Sequence, residues 1–139
     1  GIGWQSNDAW MTEASICDWY GIGCDENGSV TSIQLGGNLL TGSFPTEMYL
    51  LPNLMHLKLY SNAINFSFEG IENAKKLKTL GLDNTGLTSL NGIGRARTLQ
   101  ELNVAFNKLS GALPEEISRL VNLRSLDVSR NSISGSLPY

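Results

Sequence analysis

Cys17 and Cys24 are the only cysteines of the 139-residue chain, and they stand seven positions apart. Thiols this close can form a disulfide, which would stabilise the fold by roughly 2–3 kcal/mol in the chain-entropy picture and would persist in an oxidising compartment. A zinc site needs about four ligands, and the chain has a single histidine. The spacing therefore predicts a Cys17–Cys24 disulfide and no metal site, with two free buried thiols as the alternative.

Two Asn-x-Ser triplets, beginning at Asn27 and Asn65, have the form of N-glycosylation acceptors and fit a secreted protein. The acidic run at residues 25–28, Asp-Glu-Asn-Gly, overlaps the first triplet. It is too short to wrap a calcium ion in the manner of a calcium-binding loop. Instead it predicts a hairpin turn that joins a strand near Ile22 to the next strand. No cofactor is expected.

The charge balance limits the classes of partner. The chain carries 10 Lys and Arg residues against 13 Asp and Glu, a formal net charge of -3. Nucleic-acid-binding domains usually carry a clustered excess of basic residues, so nucleic acid is not an expected partner. No apolar run approaches the roughly 18–20 residues that span a bilayer, and the first residues do not form a signal peptide. We therefore expect no membrane contact by this segment, whose length fits one domain.

The pattern Leu-x-x-Leu-x-Leu-x-x-Asn-x-Leu recurs five times, with starts 24, 23, 22 and 24 residues apart. Its alternation places the leucines on one side of a short strand and the variable residues on the other. One copy cannot bury its leucines alone, so the copies are expected to stack, with parallel strands around one continuous core. The five copies begin at Val30, Leu54, Leu77, Leu99 and Leu123.

The asparagine of the pattern stands where the chain leaves each strand, at Asn38, Asn62, Asn107 and Asn131. Its amide can donate to and accept from backbone groups that would otherwise be buried unpaired, so these residues are expected to form a ladder. Thr85 takes this place in the third copy. Because a hydroxyl offers fewer hydrogen-bonding positions than an amide, we expect the third coil to be the weaker one.

A Gly-x-apolar-Pro element follows three of the copies, in which glycine permits a turn and proline fixes the start of the next segment. These elements begin at Gly42, Gly111 and Gly135. The second and third copies lack the element, and other apolar residues are expected to supply the equivalent core contacts. These residues are Phe66, Phe68, Leu90 and Ile93. The return segments, such as residues 72–77 and 115–120, are predicted to form one or two helical turns on the convex side.

The first 29 residues differ in kind, since they contain Trp4, Trp10 and Trp19 and no leucine slots. Ser6 or Asn7 could cap a helix over residues 8–14. We interpret residues 1–29 as an N-terminal cap that carries the disulfide, and residues 30–139 as five repeats of which the last is incomplete. Because the last coil has no cap, its leucines would face water. The chain is therefore expected to be a piece of a longer protein and a monomer, with end-to-end association through that coil as the alternative.

The run Cys17-x-Trp19-x-Gly21-Ile22-x-Cys24, together with the Gly-x-apolar-Pro elements, resembles the plant-type extracellular leucine-rich-repeat proteins over essentially the whole chain. The resemblance implies an α/β fold, a right-handed leucine-rich-repeat solenoid with an N-terminal cap. Its parallel β-sheet would line the concave face, and short helical or 3-10 turns would line the convex face. Receptor-kinase ectodomains, receptor-like proteins, enzyme inhibitors and a few ice-binding proteins belong to this family, so the resemblance implies recognition rather than chemistry.

His56 is predicted to lie on the outward side of the second repeat strand. Parallel strands are about 4.8 Å apart, so Glu101, two strands along in the same column, would lie on the order of 10 Å away, and Asp83 on the order of 13 Å. No acid and base therefore converge on one point, and no Gly-x-Ser-x-Gly turn offers a nucleophile. We expect no enzyme and no catalytic residue.

The variable positions of the strands would form the concave face. Tyr60 and Phe106 are candidate contact anchors there, although either ring could instead turn inward. We expect an extracellular, receptor-like glycoprotein, secreted or at the cell surface, that binds a protein or peptide ligand on this face; the alternative is a cell-wall carbohydrate or an ice surface. The candidate ligand-binding residues are His56, Lys58, Tyr60, Asp83, Glu101, Asn103, Phe106, Asp127 and Arg130.

Overall fold

The structure is a computed structural model that describes residues 15–137. Trp4, Trp10 and the helix predicted for residues 8–14 lie outside the described residues. The described strands are, in chain order, β1 (Ile22–Cys24), β2 (Val30–Gln34), β3 (Thr41–Ser43), β4 (His56–Lys58), β5 (Ala63–Asn65), β6 (Thr79–Gly81), β7 (Glu101–Asn103), β8 (Ser110–Gly111), β9 (Ser125–Asp127) and β10 (Ser132–Ile133).

One strand from each repeat enters a six-stranded sheet of order β1-β2-β4-β6-β7-β9. From β2 onward every pairing in this sheet is parallel, and only β1 pairs antiparallel, with β2. The register sets Leu57 beside Leu80 and Leu80 beside Leu102. The predicted solenoid of stacked parallel strands is therefore confirmed.

The leucines of the repeat strands point into one core. Leu57 and Leu80 are 0% exposed and Leu102 is 1% exposed. Since removing a leucine side chain from water stabilises by about 1.5–3 kcal/mol, and each coil covers the leucines of the next, stability is shared along the stack. The same alternation leaves the residues between the leucines on the outward face.

The chain returns between strands through short 3-10 turns. These turns are Thr46–Leu50, Ile71–Asn73, Ile93–Arg95 and Glu115–Arg119. Pro45 and Pro114 directly precede the first and last of them, as the Gly-x-apolar-Pro element predicts. At the other two turns, the preceding residues Gly70 and Gly92 have positive φ values of 85° and 93°, which glycine adopts without a side-chain penalty.

Aromatic rings fill the core beside the first two returns. Phe44 lies 4.5 Å from Phe66 and 5.2 Å from Tyr49, and Phe66 lies 5.1 Å from Phe68, all between ring centroids. The Tyr49 hydroxyl donates to the Ser67 carbonyl at 2.6 Å, and burial raises the pKa of this phenol. Further along the stack, Leu90 and Ile93 are buried too. The contacts predicted for the copies without a proline element are therefore confirmed.

The asparagine ladder is formed by side chains that tie neighbouring coils together. Asn62 Nδ2 donates to the carbonyls of Leu35 and Leu59 at 2.8 and 2.9 Å. Its Oδ1 accepts from the backbone N–H groups of Asn38 and Leu40 at 3.0 and 2.9 Å. Each asparagine thereby pairs backbone groups that the coil itself leaves unsatisfied.

Asn107 and Asn131 repeat this arrangement in later coils. Asn107 Nδ2 donates to the carbonyls of Leu82 and Val104, and Asn131 Nδ2 donates to those of Val104 and Val128. In every case one bond goes back to the preceding coil and one stays within the coil of the asparagine. The predicted ladder is confirmed at Asn62, Asn107 and Asn131.

Thr85 is the weak member of the ladder. Its hydroxyl donates to the Leu82 carbonyl at 2.7 Å and contacts Asn107 Oδ1 at 3.3 Å, so none of its hydrogen bonds reaches the preceding coil. An asparagine here would face the Leu59 carbonyl and the Ile64 N–H, as Asn62 faces the corresponding groups one coil earlier. The ladder side chain at this position therefore makes no hydrogen bond to the preceding coil.

Thr85→Asn is expected to raise the free energy of unfolding by about 1 kcal/mol, the net value of one or two recovered hydrogen bonds. Urea denaturation at equilibrium measures the change. Thr88→Asn, an exposed threonine in the same coil, is the control and is expected to leave stability unchanged. A lower stability of Thr85→Asn than of the parent would contradict the inferred geometry.

The first described residues form a disulfide-bridged segment that leads into the β1–β2 hairpin. Cys17 and Cys24 are joined by a disulfide with their Cα atoms 5.7 Å apart, which confirms the predicted bridge. The turn between β1 and β2 is closed by the Asp25 carboxylate, which accepts from the backbone N–H groups of Asn27 and Ser29 at 2.9 and 3.0 Å. That this segment caps the first coil stays a prediction.

Apolar residues of the last coil are less covered than those of the middle coils. Leu126 and Val128 are half-buried, while Leu102 and Val104, their counterparts one coil earlier, are buried. Leu102 lies between two strands of the sheet, whereas β9 pairs with β7 alone among the described strands. The predicted end-to-end association through this coil stays a prediction.

Candidate functional site

Outward residues of the sheet line up in columns that run across the strands. The parallel register places Gln34, Lys58, Gly81, Asn103 and Asp127 in the central column. Neighbouring members of a column are about 4.8 Å apart because that is the strand spacing. Side chains far apart in sequence therefore meet on one face.

A groove of about 420 Å³ lies in this face over β6. Six of the nine predicted binding residues line it: Lys58, Tyr60, Asp83, Glu101, Asn103 and Asp127. It is also lined by residues that the sequence did not single out: Thr79, Leu80, Gly81, Leu102 and Ser125. The structure thus brings most of the predicted candidates to one place.

Gly81 forms the floor of this groove. It is buried although it lies in an outward column, and it is not among the residues with positive φ. A Cβ atom built at this position would lie 3.4 Å from Lys58 Cγ, close to ordinary contact. Neither backbone nor packing therefore demands a glycine here, and its small size leaves the space above it open. A glycine in the middle of a strand is the sequence signal that could have revealed the floor.

Tyr60 forms one wall of the groove. A Cβ atom added to Gly36, one strand away, would overlap the Tyr60 ring, so the ring lies directly over the Gly36 backbone. The tyrosine is nevertheless 42% exposed. An aromatic side chain that is held in place and still open to solvent can contact a ligand with little loss of conformational entropy.

The charged residues that line the groove are three carboxylates, of Asp83, Glu101 and Asp127, and the Lys58 ammonium. The Asp127 carboxylate accepts from the Ser129 hydroxyl at 2.6 Å and from the Ser129 N–H at 3.0 Å. These bonds hold the pKa of Asp127 below its usual value, because they favour the ionised form. The groove is therefore acidic near neutral pH.

His56 lies one column away from the groove floor and does not line the groove. Its Nδ1 is 3.0 Å from Thr79 Oγ1 on the neighbouring strand. Glu101 occupies the same column two strands along, which is the separation that the sequence predicted. Within residues 15–137 no group of three or more His, Cys, Asp and Glu side chains could hold a metal ion.

Phe106 and Arg130 lie together at the rim of the sheet, beyond the groove. The Arg130 guanidinium carbon is 5.9 Å from the centroid of the Phe106 ring, within cation–π range. Phe106 is 60% exposed, so the alternative in which its ring turns inward is wrong.

Each residue directly before a ladder position has a left-handed backbone; at Phe106 and Arg130 φ is 56° and 55°.

Phe106→Asn is expected to raise the free energy of unfolding by about 0.5–1 kcal/mol. A left-handed phenylalanine costs roughly 1–2 kcal/mol, which asparagine largely avoids, whereas the exposed cation–π contact contributes only about 0.5–1 kcal/mol. Thermal or urea denaturation measures the change. Val121→Asn, at an exposed apolar residue without positive φ, is the control and should bring no gain. A loss of stability in Phe106→Asn would show that the ring contributes more than its backbone costs.

The predicted glycosylation acceptors are both exposed, Asn27 in the β1–β2 turn and Asn65 at the end of β5. Both are therefore accessible to a modifying enzyme, and their glycosylation stays a prediction.

Residues 75–133 match the family model described as leucine rich repeat. The chain is a leucine-rich-repeat protein. Its similarity to a curated relative, the Receptor-like protein kinase HSL1 of Arabidopsis thaliana, is 42% identity over 78 residues, which is 55% of this chain and 7% of that protein. The predicted resemblance to plant leucine-rich-repeat proteins is thereby confirmed.

The leucine-rich-repeat chain is also similar to solved structures. One is the Arabidopsis receptor kinase HAESA in complex with the peptide hormone IDA and the co-receptor SERK1, with a TM-score of 0.66, 28% identity, and coverage of 94% of this chain and 27% of that chain. Another is a plant ice-binding protein, with a TM-score of 0.77, 31% identity, and coverage of 95% and 44%.

The leucine-rich-repeat chain spans between 6% and 12% of the length of the curated relatives it matches. Several of these relatives are named as kinases, but the region described here consists of repeats and is not a kinase domain. In residues 15–137 the helical segments are 3-10 turns, and none has the length and hydrophobicity needed to cross a membrane.

Proposed function

We propose that this chain is a non-catalytic recognition module, secreted or at the cell surface, that binds a protein or peptide ligand in the groove over Gly81. The observation that carries the proposal is the groove itself. It has a glycine floor, an aromatic wall and a charged lining within one rigid sheet. A concave surface on which several polar groups converge is a candidate ligand site.

The lining favours a ligand that presents a basic side chain. Three carboxylates and one ammonium give the groove a net negative charge, and charge complementarity guides both encounter and choice of partner. An arginine side chain would bring planar hydrogen-bond donors that suit carboxylates. Tyr60 could cover the guanidinium face by a cation–π contact.

The kinds of protein that resemble this chain support a peptide or protein ligand. One similar structure holds a peptide hormone and a co-receptor, and curated relatives are named as receptor-like kinases. The disulfide supports an oxidising location such as the cell exterior. These similarities favour binding over catalysis as the function of this face.

Selection of peptides from a random display library on the immobilised chain tests the proposal. Bound sequences are expected to be enriched in Arg or Lys, and their affinity should fall as salt is raised. The triple variant Asp83→Asn, Glu101→Gln, Asp127→Asn should weaken these peptides at least tenfold, about 1.4 kcal/mol of binding free energy. The charge-matched control, Glu47→Gln, Glu69→Gln, Glu115→Gln, changes exposed residues outside the groove. Equal losses in both triples would contradict the proposed site.

Ice binding is the second candidate, because one similar structure is a plant ice-binding protein. A regular array of threonine or similar residues would favour it, whereas the outer concave column runs Ser32, His56, Thr79, Glu101 and Ser125. We therefore rank peptide binding first. Thermal hysteresis in solutions of the chain would support the second candidate instead.

A further inference from the structure

A second charged surface lies away from the concave sheet, on the segments that lead from the 3-10 turns into the strands. Six of the chain's ten Lys and Arg residues line two adjoining grooves there. We call this surface the basic strip, and its cations are Lys75, Lys76, Lys78, Arg95, Arg97 and Arg119. All six residues are exposed.

Stacking of the coils brings these residues together. The Thr98 hydroxyl donates to the Leu77 carbonyl at 2.7 Å, and Asn122 Nδ2 donates to the Arg97 carbonyl at 2.8 Å. These bonds set the segments of three successive coils side by side. Because neighbouring coils are about 4.8 Å apart, cations more than 20 residues apart in sequence lie on one surface.

The strip is a continuous depression. One groove, of about 320 Å³, contains Arg95, Arg97 and Arg119, and the other, of about 380 Å³, contains Lys76 and Lys78. Lys75 and Thr98 line both grooves, so a ligand could pass from one to the other without leaving the surface. An elongated ligand fits this shape better than a compact one.

Acids are few along the strip, and those nearby lie at its Arg95–Arg119 end. Among residues 15–137, Glu72 is the one acid that lines either groove, and its carboxylate is 3.8 Å from the Arg95 guanidinium. The whole chain has a net charge of -3, so the excess of positive charge is local and does not follow from composition. A local basic field on an acidic protein concentrates anions at that surface.

We propose that the basic strip binds a linear anionic polysaccharide, one that carries carboxylate or sulfate groups along its length. Cations on three successive coils suit a polymer that carries charges along its length, and Thr98, Gln100 and Asn122 add polar groups for sugar hydroxyls. An anionic membrane is the less favoured partner, because neither groove is lined by an aromatic side chain that could enter a bilayer. The strip and the concave groove share no lining residue.

Binding is tested with the purified chain and three fluorescent polymers: polygalacturonate, dextran sulfate and neutral dextran. At least one of the two anionic polymers should bind, more weakly as salt is raised, and neutral dextran should not. Lys75→Gln with Arg97→Gln should weaken that binding about tenfold or more. Lys108→Asp, which changes the net charge by the same amount at an exposed residue outside the strip, should weaken it less than about twofold. Circular dichroism confirms that each variant is folded.

Three results would overturn the proposal: no binding of either anionic polymer, equal losses in the strip variant and in Lys108→Asp, or tighter binding of phosphatidylserine vesicles than of both polymers. The selected basic peptides should bind the strip variant as they bind the parent. The two sites can therefore fail independently.

Discussion

Asn62→Ala is expected to lower the free energy of unfolding by about 3–5 kcal/mol, a large share of the stability of a domain of this size. The amide of Asn62 donates to the carbonyls of Leu35 and Leu59 and accepts from the N–H groups of Asn38 and Leu40. Alanine leaves these backbone groups without their partner in a buried place, where each unpaired group costs about 1–3 kcal/mol. The expected loss of stability is smaller than the summed cost of these unpaired groups, because the structure relaxes partly and water can enter.

Equilibrium urea denaturation of Asn62→Ala, monitored by circular dichroism, gives the loss. Asn122→Ala is the matched control, since Asn122 is exposed and donates a single bond, to the Arg97 carbonyl; it should cost less than about 1 kcal/mol. If the two variants lost equal stability, the ladder would not be the main tie between the coils.

Gly81→Leu is expected to abolish binding of groove-selected peptides, with an affinity loss of about 100-fold or more. The leucine side chain would occupy the space above β6. It would also place an apolar group against the basic side chain of the peptide that the carboxylates bind. Stability should be retained or should rise slightly, because Gly81 has no positive φ and glycine is a weak strand residue. Loss of binding would then not reflect unfolding.

Isothermal titration calorimetry with a selected peptide, combined with a melting curve, separates these effects. Gln34→Leu places the same side chain in the same column, two strands from Gly81 and outside the groove. It is expected to bind the peptide within about twofold of the parent. Undiminished affinity in Gly81→Leu would place the ligand elsewhere.

The sequence predicted the elements that depend on period and on local chemistry. Alternating leucines indicate a strand wherever they recur, so Leu57, Leu80 and Leu102 could be assigned to the core and the residues between them to the outer face. The ladder role of Asn62 and the weakness at Thr85 follow from how many hydrogen bonds each side chain can make. The candidate residues meet in one groove because the register is set by those same leucines.

Other features depend on neighbours that only stacking supplies. Gly81 is a groove floor because the longer side chains of Lys58 and Asn103 flank it in the sheet. Tyr60 is a wall because its ring lies over Gly36. The left-handed backbone at Phe106 arises from the turn before the ladder residue, which the pattern does not encode. The basic strip could not be predicted from the net charge, because the net charge of the whole chain does not say where on the surface the charges lie.

Recognition over Gly81 is tested most directly by a titration of the isotope-labelled chain with a selected basic peptide, followed in backbone amide NMR spectra. The largest shift changes are expected at Gly81 and at Lys58 and Asn103 beside it, with little change along the 3-10 turns. Changes concentrated at Thr46–Leu50 and Glu115–Arg119, with the Gly81 signal unmoved, would contradict a concave binding site.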